Sequence, residues 1–350
     1  MAVNQSPTNN IDFVGRVFEL TQTPANVRAS QWTDRMFLKR AALGLARRLN
    51  FWLLGTSLVS HEGRFTYRRG NSEHSITFNG RNLQFSSLYD ECYRHGYELE
   101  TGFVLTRLCR GDRAFYDVGA NWGYFSLLLA ASAEFSGPIF AFEPNPRTYA
   151  DLIDVIQQAG VADRVNPCQF GLGRESCTMT LAEADSFHTG LARLIPTVAG
   201  PQISVKRLDD LDFPVPQLIK IDAEGMEADI LAGGSTLLSR SQTYVLFENF
   251  LDHRSPDRTF APLEVLLAHN YQLFVPILMF STNGRTVMMP YGADLATLIS
   301  TGVELKIGLF GVNLGNRYLL GSQWNILAVP AAKVTELWTA GFVNLNEMHT

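Results

Sequence analysis

Apolar and polar positions follow three successive rhythms along the chain. Residues 1 to about 30 lack apolar periodicity and read as a loose segment. Over residues 31–54, Leu38, Ala42, Leu45, Leu49 and Leu53 recur at three- and four-residue steps, which predicts an amphipathic helix. Over 64–85 the pattern alternates. Phe65 with Tyr67, Ile76 with Phe78, and Leu83 with Phe85 predict short strands, and Asn79-Gly80 predicts a hairpin turn between the last two. A helical pattern follows over 88–108. Beyond it, short apolar runs alternate with helical stretches: strands at 114–118, 138–142, 165–170, 218–222 and 243–247, and helices over 124–133, over 147–158 and from Met226. Two more strands are expected at 271–275 and 325–329. Such alternation predicts an α/β protein with a mostly parallel central sheet flanked by helices. A ligand would then sit at the carboxyl ends of the strands, near the point where strand order reverses. Ahead of this domain stands a module of helix plus β-hairpin.

Composition narrows the classes. With 46% hydrophobic and 18% charged residues, the chain reads as soluble and globular. The formal net charge of -5, without a long run of Lys or Arg, gives no reason to expect a nucleic-acid partner. Cys92, Cys109, Cys168 and Cys177 form no C-x-x-C pair and have no His at a zinc-ligand spacing, so free thiols are expected. Residues 1–12 are polar and lack the apolar core of a signal peptide. The apolar stretch at 51–59 is far shorter than the roughly 20 residues of a spanning helix. A cytoplasmic location is therefore expected. Arg35, Lys39, Arg40, Arg47 and Arg48 decorate the first helix. They suit contact with an anionic membrane or an acidic partner. The ordinary width of the apolar stripe favours a helix packed on its own domain instead.

Candidate chemistry concentrates in one loop. Asp117-Val118-Gly119-Ala120-Asn121-Trp122-Gly123 joins a strand to a helix. Glycines there allow a tight turn and a close approach of ligand to backbone. No Gly-Lys-Ser/Thr follows, so the loop is not a P-loop. Nor is it the G-x-G-x-x-G that faces backbone amides toward a pyrophosphate. S-adenosylmethionine has no phosphates. It carries a sulfonium and a zwitterionic amino-acid end, and an acidic residue beside the loop suits its ammonium. Glu143 lies 26 residues after Asp117, at the end of the second strand. A carboxylate there can accept charge-assisted hydrogen bonds from ribose hydroxyls. The alternative for Glu143 is a turn cap before Pro144. Gly171-Leu172-Gly173, after the third strand, could pass near an adenine edge or form a plain turn.

D-V-G-A-N-W-G-Y-F-S (117–126), A-F-E-P-N (141–145), Gly171-Leu172-Gly173 and L-I-K-I-D-A-E-G-M-E (218–227) occur in that order. Together with Gly96-Tyr97-Glu98 ahead of them and W-N-I-L-A-V-P (324–330) near the end, they resemble the FkbM-type methyltransferase family. The likeness covers roughly residues 97–275 and the closing strand. It implies a Rossmann-like class I methyltransferase fold over 97–350, with S-adenosylmethionine as methyl donor, and leaves 1–96 as a cap or subunit interface. By position, the resemblance puts Asp117, Gly119, Asn121 and Gly123 at the methionine end and Glu143, with Asn145 beside it, at the ribose. It puts Asp222 opposite the methyl group. Members are typically O-methyltransferases acting on sugars, polyketides or other natural products, so a small-molecule or glycan hydroxyl is the expected acceptor.

An alcohol acceptor needs a general base, or a metal that lowers its pKa. Asp222 ends the fourth strand, and Glu224 and Glu227 follow at a helix entrance where capping is an equal reading. Glu248 and Asn249 end the next strand, and His253 follows in the loop. His253 and Asp222 are the leading base candidates, with His188 a third. Asp222 with Glu248 suggests Mg²⁺ as a minor option, since two carboxylates do not define a metal site. Two rival readings stand beside the methyltransferase. A nicotinamide-dependent oxidoreductase would require the missing glycine fingerprint. A non-catalytic binding or scaffold protein would keep the fold without the acids Asp117, Glu143 and Asp222. A homo-oligomer through residues 1–96 is a further expectation.

Overall fold

The computed structural model describes residues 17–25, 27–28, 60–89, 96–182, 193–195, 201–282, 285–288, 304–321 and 323–347. The helix expected over 31–54 and His188 lie outside them.

The centre is a ten-stranded sheet. Its parallel half contains β4 (Ala114–Val118), β5 (Ile139–Phe142), β6 (Val165–Cys168), β11 (Pro216–Ile221) and β12 (Tyr244–Phe250) in the order β6-β5-β4-β11-β12. Strand order therefore reverses between β4 and β11, which opens a crevice at their carboxyl ends. The antiparallel half continues with β16 (Gln323–Pro330), β13 (Tyr271–Thr282), β15 (Glu304–Val312) and β17 (Val343–Asn344), and β14 (Arg285–Met288) hangs on β13. β16 runs antiparallel to both β12 and β13. The chain thus inserts its late strand beside β12, where Glu248 pairs with Asn325. β4 is buried at all five positions, as befits a strand covered on both faces.

Helices cover both faces. α1 (Leu99–Leu108), α2 (Tyr124–Ala131) and α3 (Pro146–Gln158) contribute to one apolar core, and α4 (Glu227–Gly233), α5 (Ser235–Arg240) and α6 (Pro256–Ala268) to the other. A small second sheet, β7 (Gly171–Leu172), β8 (Cys177–Ala182), β9 (Arg193–Ile195) and β10 (Gln202–Lys206), follows β6. None of the alternation used above predicted β8, β10 or β15.

The N-terminal module differs from expectation in register. β2 (Glu62–Arg69) and β3 (Ser72–Asn79) form the hairpin, and β1 (Phe18–Gln22) pairs with β2. Its two-residue turn is Gly70-Asn71, with Gly70 at φ +59. Asn79-Gly80 instead ends the hairpin, and Leu83–Phe85 is a 3₁₀ turn capped by the Asn82 side chain. Both dipeptides suit a primed turn. Packing decides between them: Phe85 is buried and stacks on Phe78 and Trp122, so its apolar character serves a core contact. Val17, Phe65, Tyr67, Ile76 and Phe78 share one core with Trp122, Leu127 and Leu152. The Tyr67 hydroxyl donates to the Leu127 carbonyl (3.1 Å), and the Gln158 side chain exchanges hydrogen bonds with the backbone of Thr77. The described part of this module therefore packs directly on α2 and α3. The single helix expected over 88–108 is interrupted: Gly96 (φ +124) and Glu98 (φ +42) turn the chain into α1.

Candidate active site

The loop after β4 is shaped by backbone contact. Gly119 has φ +75, and a Cβ there would lie 1.8 Å from the carbonyl oxygen of Asp222. Only glycine lets the ends of β4 and β11 touch in this way. Asn121 follows in the left-handed region (φ +54), where asparagine is among the better-tolerated side chains, and its Oδ1 accepts from the Trp122 amide. The Trp122 indole points back into the core. It stacks on Phe85 at 5.1 Å, and its Nε1–H donates to the Gln84 carbonyl (3.1 Å).

Glu143, at the end of β5, fastens this loop to its neighbour. Its Oε2 accepts from the Asn121 amide (3.1 Å) and its Oε1 from the Asn145 amide (2.9 Å). Asn145 then caps α3 by accepting from the Arg147 amide. Burial pushes the Glu143 carboxyl up to about 7, against the lowering effect of those two amides. Next along the edge, Phe170 presents a half-buried ring with the Lys206 ammonium 4.3 Å from its centroid.

The other end of the site is ionic. Lys220, buried in β11, places its ammonium 3.4 Å from Asp222 Oδ2, 3.9 Å from Asp117 Oδ1 and 4.9 Å from the centre of the Phe125 ring. Burial works against its charge. Asp222 and Asp117, with Glu98 and Glu248 further off, outweigh that and hold the ammonium up to about 12. Glu248 is buried, accepts from the Gln323 side chain, and is raised well above the usual carboxylate range by burial and then by Asp222. Glu98 enters from the start of α1, with Thr101 and Asn325 both donating to its Oε2 (3.1 and 3.0 Å). Burial and the nearby Asp222 raise it as well.

These elements enclose a cavity of about 500 Å³, within the usual range for small-molecule sites. Of the residues expected from sequence, Gly119, Asn121, Glu143, Asn145, Gly171, Asp222, Glu224 and Glu248 line it. Asp117, Gly123 and His253 do not. Asp117 is wholly buried beneath the loop, where Ser126 donates to its Oδ2 (2.7 Å) and Lys220 faces its Oδ1. Gly123 opens α2 at φ +97 and packs toward Leu152. His253 is exposed in the loop beyond β12, because the chain turns outward at Phe250. Glu227 accepts from the Ala223 and Gly225 amides and so organises the turn into α4. Among the described residues, no cluster of three or more potential metal ligands is present. The space between Asp222 and Asp117 holds the Lys220 ammonium instead.

Sequence reasoning passed over Lys220, Gln323, Phe170 and the chemistry of Glu98. Lys220 carried a usable signal: it is the one charge inside the apolar run 218–221, and a lysine that deep requires partners. Gln323 and Phe170 carried none.

Residues 117–273 match the model of the methyltransferase FkbM domain. The hexuronic acid methyltransferase AglP of Haloferax volcanii is 27% identical over 144 residues, which is 39% of this chain and 56% of that protein. Methyltransferase 1 of Beauveria bassiana is 30% identical over 148 residues, which is 35% of this chain and 58% of its own. The chain thus spans little more than half the length of these curated relatives. A solved FkbM methyltransferase of Methylobacillus flagellatus superposes with a TM-score of 0.39 and 18% identity, covering 55% of this chain and 48% of that one.

Proposed function

We propose, from the premise that residues 117–273 are a methyltransferase FkbM domain, that the chain is an S-adenosylmethionine-dependent O-methyltransferase. The acceptor we assign is a hydroxyl of a sugar, glycan or related small molecule, a class that includes the substrate named for the Haloferax relative.

One observation carries this reading: the charge of the cavity lining. Five carboxyls line it, Glu98, Glu143, Asp222, Glu224 and Glu248. Among the described lining residues the only cation is Lys220, which is flanked by Asp222 and Asp117. Such a lining offers a pyrophosphate no cation beyond Lys220, and a bound cation would favour the charged form of its raised carboxyls. That donor set fits S-adenosylmethionine better than a nicotinamide dinucleotide. Gly119, Asn121 and Gly123 shape the loop beside it. Glu143 receives the ribose hydroxyls, with Asn145 holding Glu143 in place. Gly171 and the Phe170 ring border the adenine side.

When bound, the cofactor supplies a methyl group already attached to a good leaving group. What the chain must then provide is alignment and a proton acceptor. Asp222 and Glu248 face the acceptor end and are the candidate bases. Lys220 fixes Asp222, and Gln323 fixes the Glu248 carboxyl. Glu248, raised well above the usual carboxylate range, is once ionised a stronger base toward a hydroxyl proton than an ordinary carboxylate.

Calorimetry with S-adenosylmethionine, S-adenosylhomocysteine and NAD tests the cofactor. Binding of the two sulfur compounds and not NAD is expected, and the reverse would sink the proposal. Transfer of labelled methyl to a panel of neutral, acidic and amino saccharides tests the acceptor class. Label appearing only on proteins or nucleic acid would overturn it.

A further inference from the structure

The amino-acid end of S-adenosylmethionine carries an ammonium, and a buried ammonium needs an anionic partner. The acid at the start of the glycine loop, Asp117, is sealed under it and already faces Ser126 and Lys220. Among the lining carboxyls, Glu143 is bound to the Asn121 and Asn145 amides, and Asp222 lies 3.4 Å from the Lys220 ammonium. Glu248 meets a neutral donor, Gln323, but sits at the end of β12, whereas Glu98 adjoins Tyr97, which is bonded to the first residue of the helix after the glycine loop. The Glu98 carboxyl receives hydrogen bonds from neutral groups: Thr101, Asn325 and the Tyr97 side chain. Lys220 favours its charged form, but more weakly than burial or Asp222 opposes it.

The backbone is arranged to present this side chain. Glu98 sits at φ +42, ψ +65, a left-handed conformation unfavourable for a side chain of this length. The strain is held by contacts on both sides. The Tyr97 amide donates to the Tyr124 hydroxyl (3.1 Å), and the Tyr97 ring packs edge-on against Tyr124 at 5.4 Å and tilted against Phe125 at 5.8 Å. Tyr124 is the first residue of α2, immediately after the glycine loop. After Glu98, the Gly102 amide donates to the Glu98 carbonyl and starts α1. The segment 97–98 is thereby fastened to the helix that the glycine loop opens, with the carboxyl lining the cavity. Burial and the neighbouring Asp222 disfavour the charged carboxyl. A cation arriving there relieves that penalty.

We infer that Glu98 is a cofactor-binding residue, the carboxylate that receives the α-ammonium of S-adenosylmethionine. The inference rests on the cofactor reading above and moves the ammonium contact away from Asp117.

The test compares Glu98→Gln with the unmodified protein by calorimetry, using three ligands. S-adenosylmethionine and S-adenosylhomocysteine both carry the ammonium. 5′-Methylthioadenosine keeps the nucleoside and sulfur but lacks the amino-acid end. Glu98→Gln should weaken the first two by about 10- to 100-fold, the range for losing a charged hydrogen bond, and leave 5′-methylthioadenosine unchanged. That third ligand also reports whether the variant is folded. Unchanged affinity for S-adenosylhomocysteine would overturn the inference, and so would equal loss of all three. Weakening of S-adenosylmethionine alone would assign Glu98 to the sulfonium and overturn the ammonium role. If the unmodified protein binds none of the three, the cofactor reading fails first and the inference with it.

Discussion

The two ends of the cavity are made of different material. At the β4–β5 end, shape comes from backbone: Gly119 touching the Asp222 carbonyl, Asn121 in a left-handed turn, and two amides gripping Glu143. At the β11–β12 end it comes from side chains: Lys220 among Asp222 and Asp117, Glu248 under Gln323, and Glu98 under Asn325. Backbone shape is specified by a few glycines and one acid close together in sequence. Side-chain electrostatics depend on which distant residues arrive beside each group.

If that contrast holds, substitutions at the two ends should fail differently. The largest effect is expected at the backbone end. Gly119→Ala forces a methyl into the Asp222 carbonyl at a positive φ, and should lower stability by about 3 kcal/mol while removing cofactor binding. Thermal melts with calorimetry read both, and a variant that melts and binds normally would break the comparison. Next come the acids of the side-chain end. Glu248→Gln or Asp222→Asn should slow transfer by about 10²- to 10⁴-fold while cofactor affinity is retained, as for loss of a general base. Because Glu248 is held above the usual carboxylate range, the rate should rise with pH through and beyond neutrality. Glu248→Gln should flatten that rise, and a retained slope would move the role to Asp222.

A smaller effect is expected at Glu143. Glu143→Ala should weaken S-adenosylhomocysteine by about 1–3 kcal/mol. The sign of its pH effect follows from a carboxyl raised to about 7 in the folded chain. The unfolded chain releases that proton at lower pH than the folded one. The contribution to stability is therefore fully present below the usual carboxylate range and is lost as pH rises to about 7. Denaturant titrations at several pH values should show this loss, and Glu143→Ala should remove it. The smallest effect belongs to His253→Ala. His253 is exposed and off the cavity, so stability should move by no more than about 0.5 kcal/mol and turnover should be nearly unchanged. A large loss of turnover would restore it as a base and extend the side-chain end into the loop beyond β12.

The same contrast explains what the sequence discloses. The presence of β4, β5, β6, β11 and β12 in a mostly parallel sheet was legible, because buried parallel strands are short apolar runs bounded by helices, whereas their order in the sheet was not. Gly119, Asn121 and Glu143 were legible because a local turn and the acid after the next strand announce themselves by spacing. Asp117 and His253 were misleading for one reason: residue type suggests chemistry, but burial decides access. Asp117 lies under its loop and His253 outside the cavity. Gln323 was illegible because its meaning comes from Glu248, 75 positions earlier. The hairpin register failed because two equivalent turn signals competed and the Phe85–Trp122 stack chose between them.

β16 has a bearing on the order in which the molecule matures on the ribosome. Glu143 can take its contacts from the Asn121 and Asn145 amides once residues up to 168 have emerged, since β4, β5 and β6 are neighbours in both sequence and space. Gln323 and Asn325, which settle Glu248 and Glu98, arrive only with the strand that slots beside β12. The Glu98–Asn325 contact spans 227 positions. A nascent chain paused before that strand would hold the nucleotide half of its pocket and lack the polar contacts of the acidic half. The acidic end of the cavity therefore completes these polar contacts only once residues 323–325 have been made.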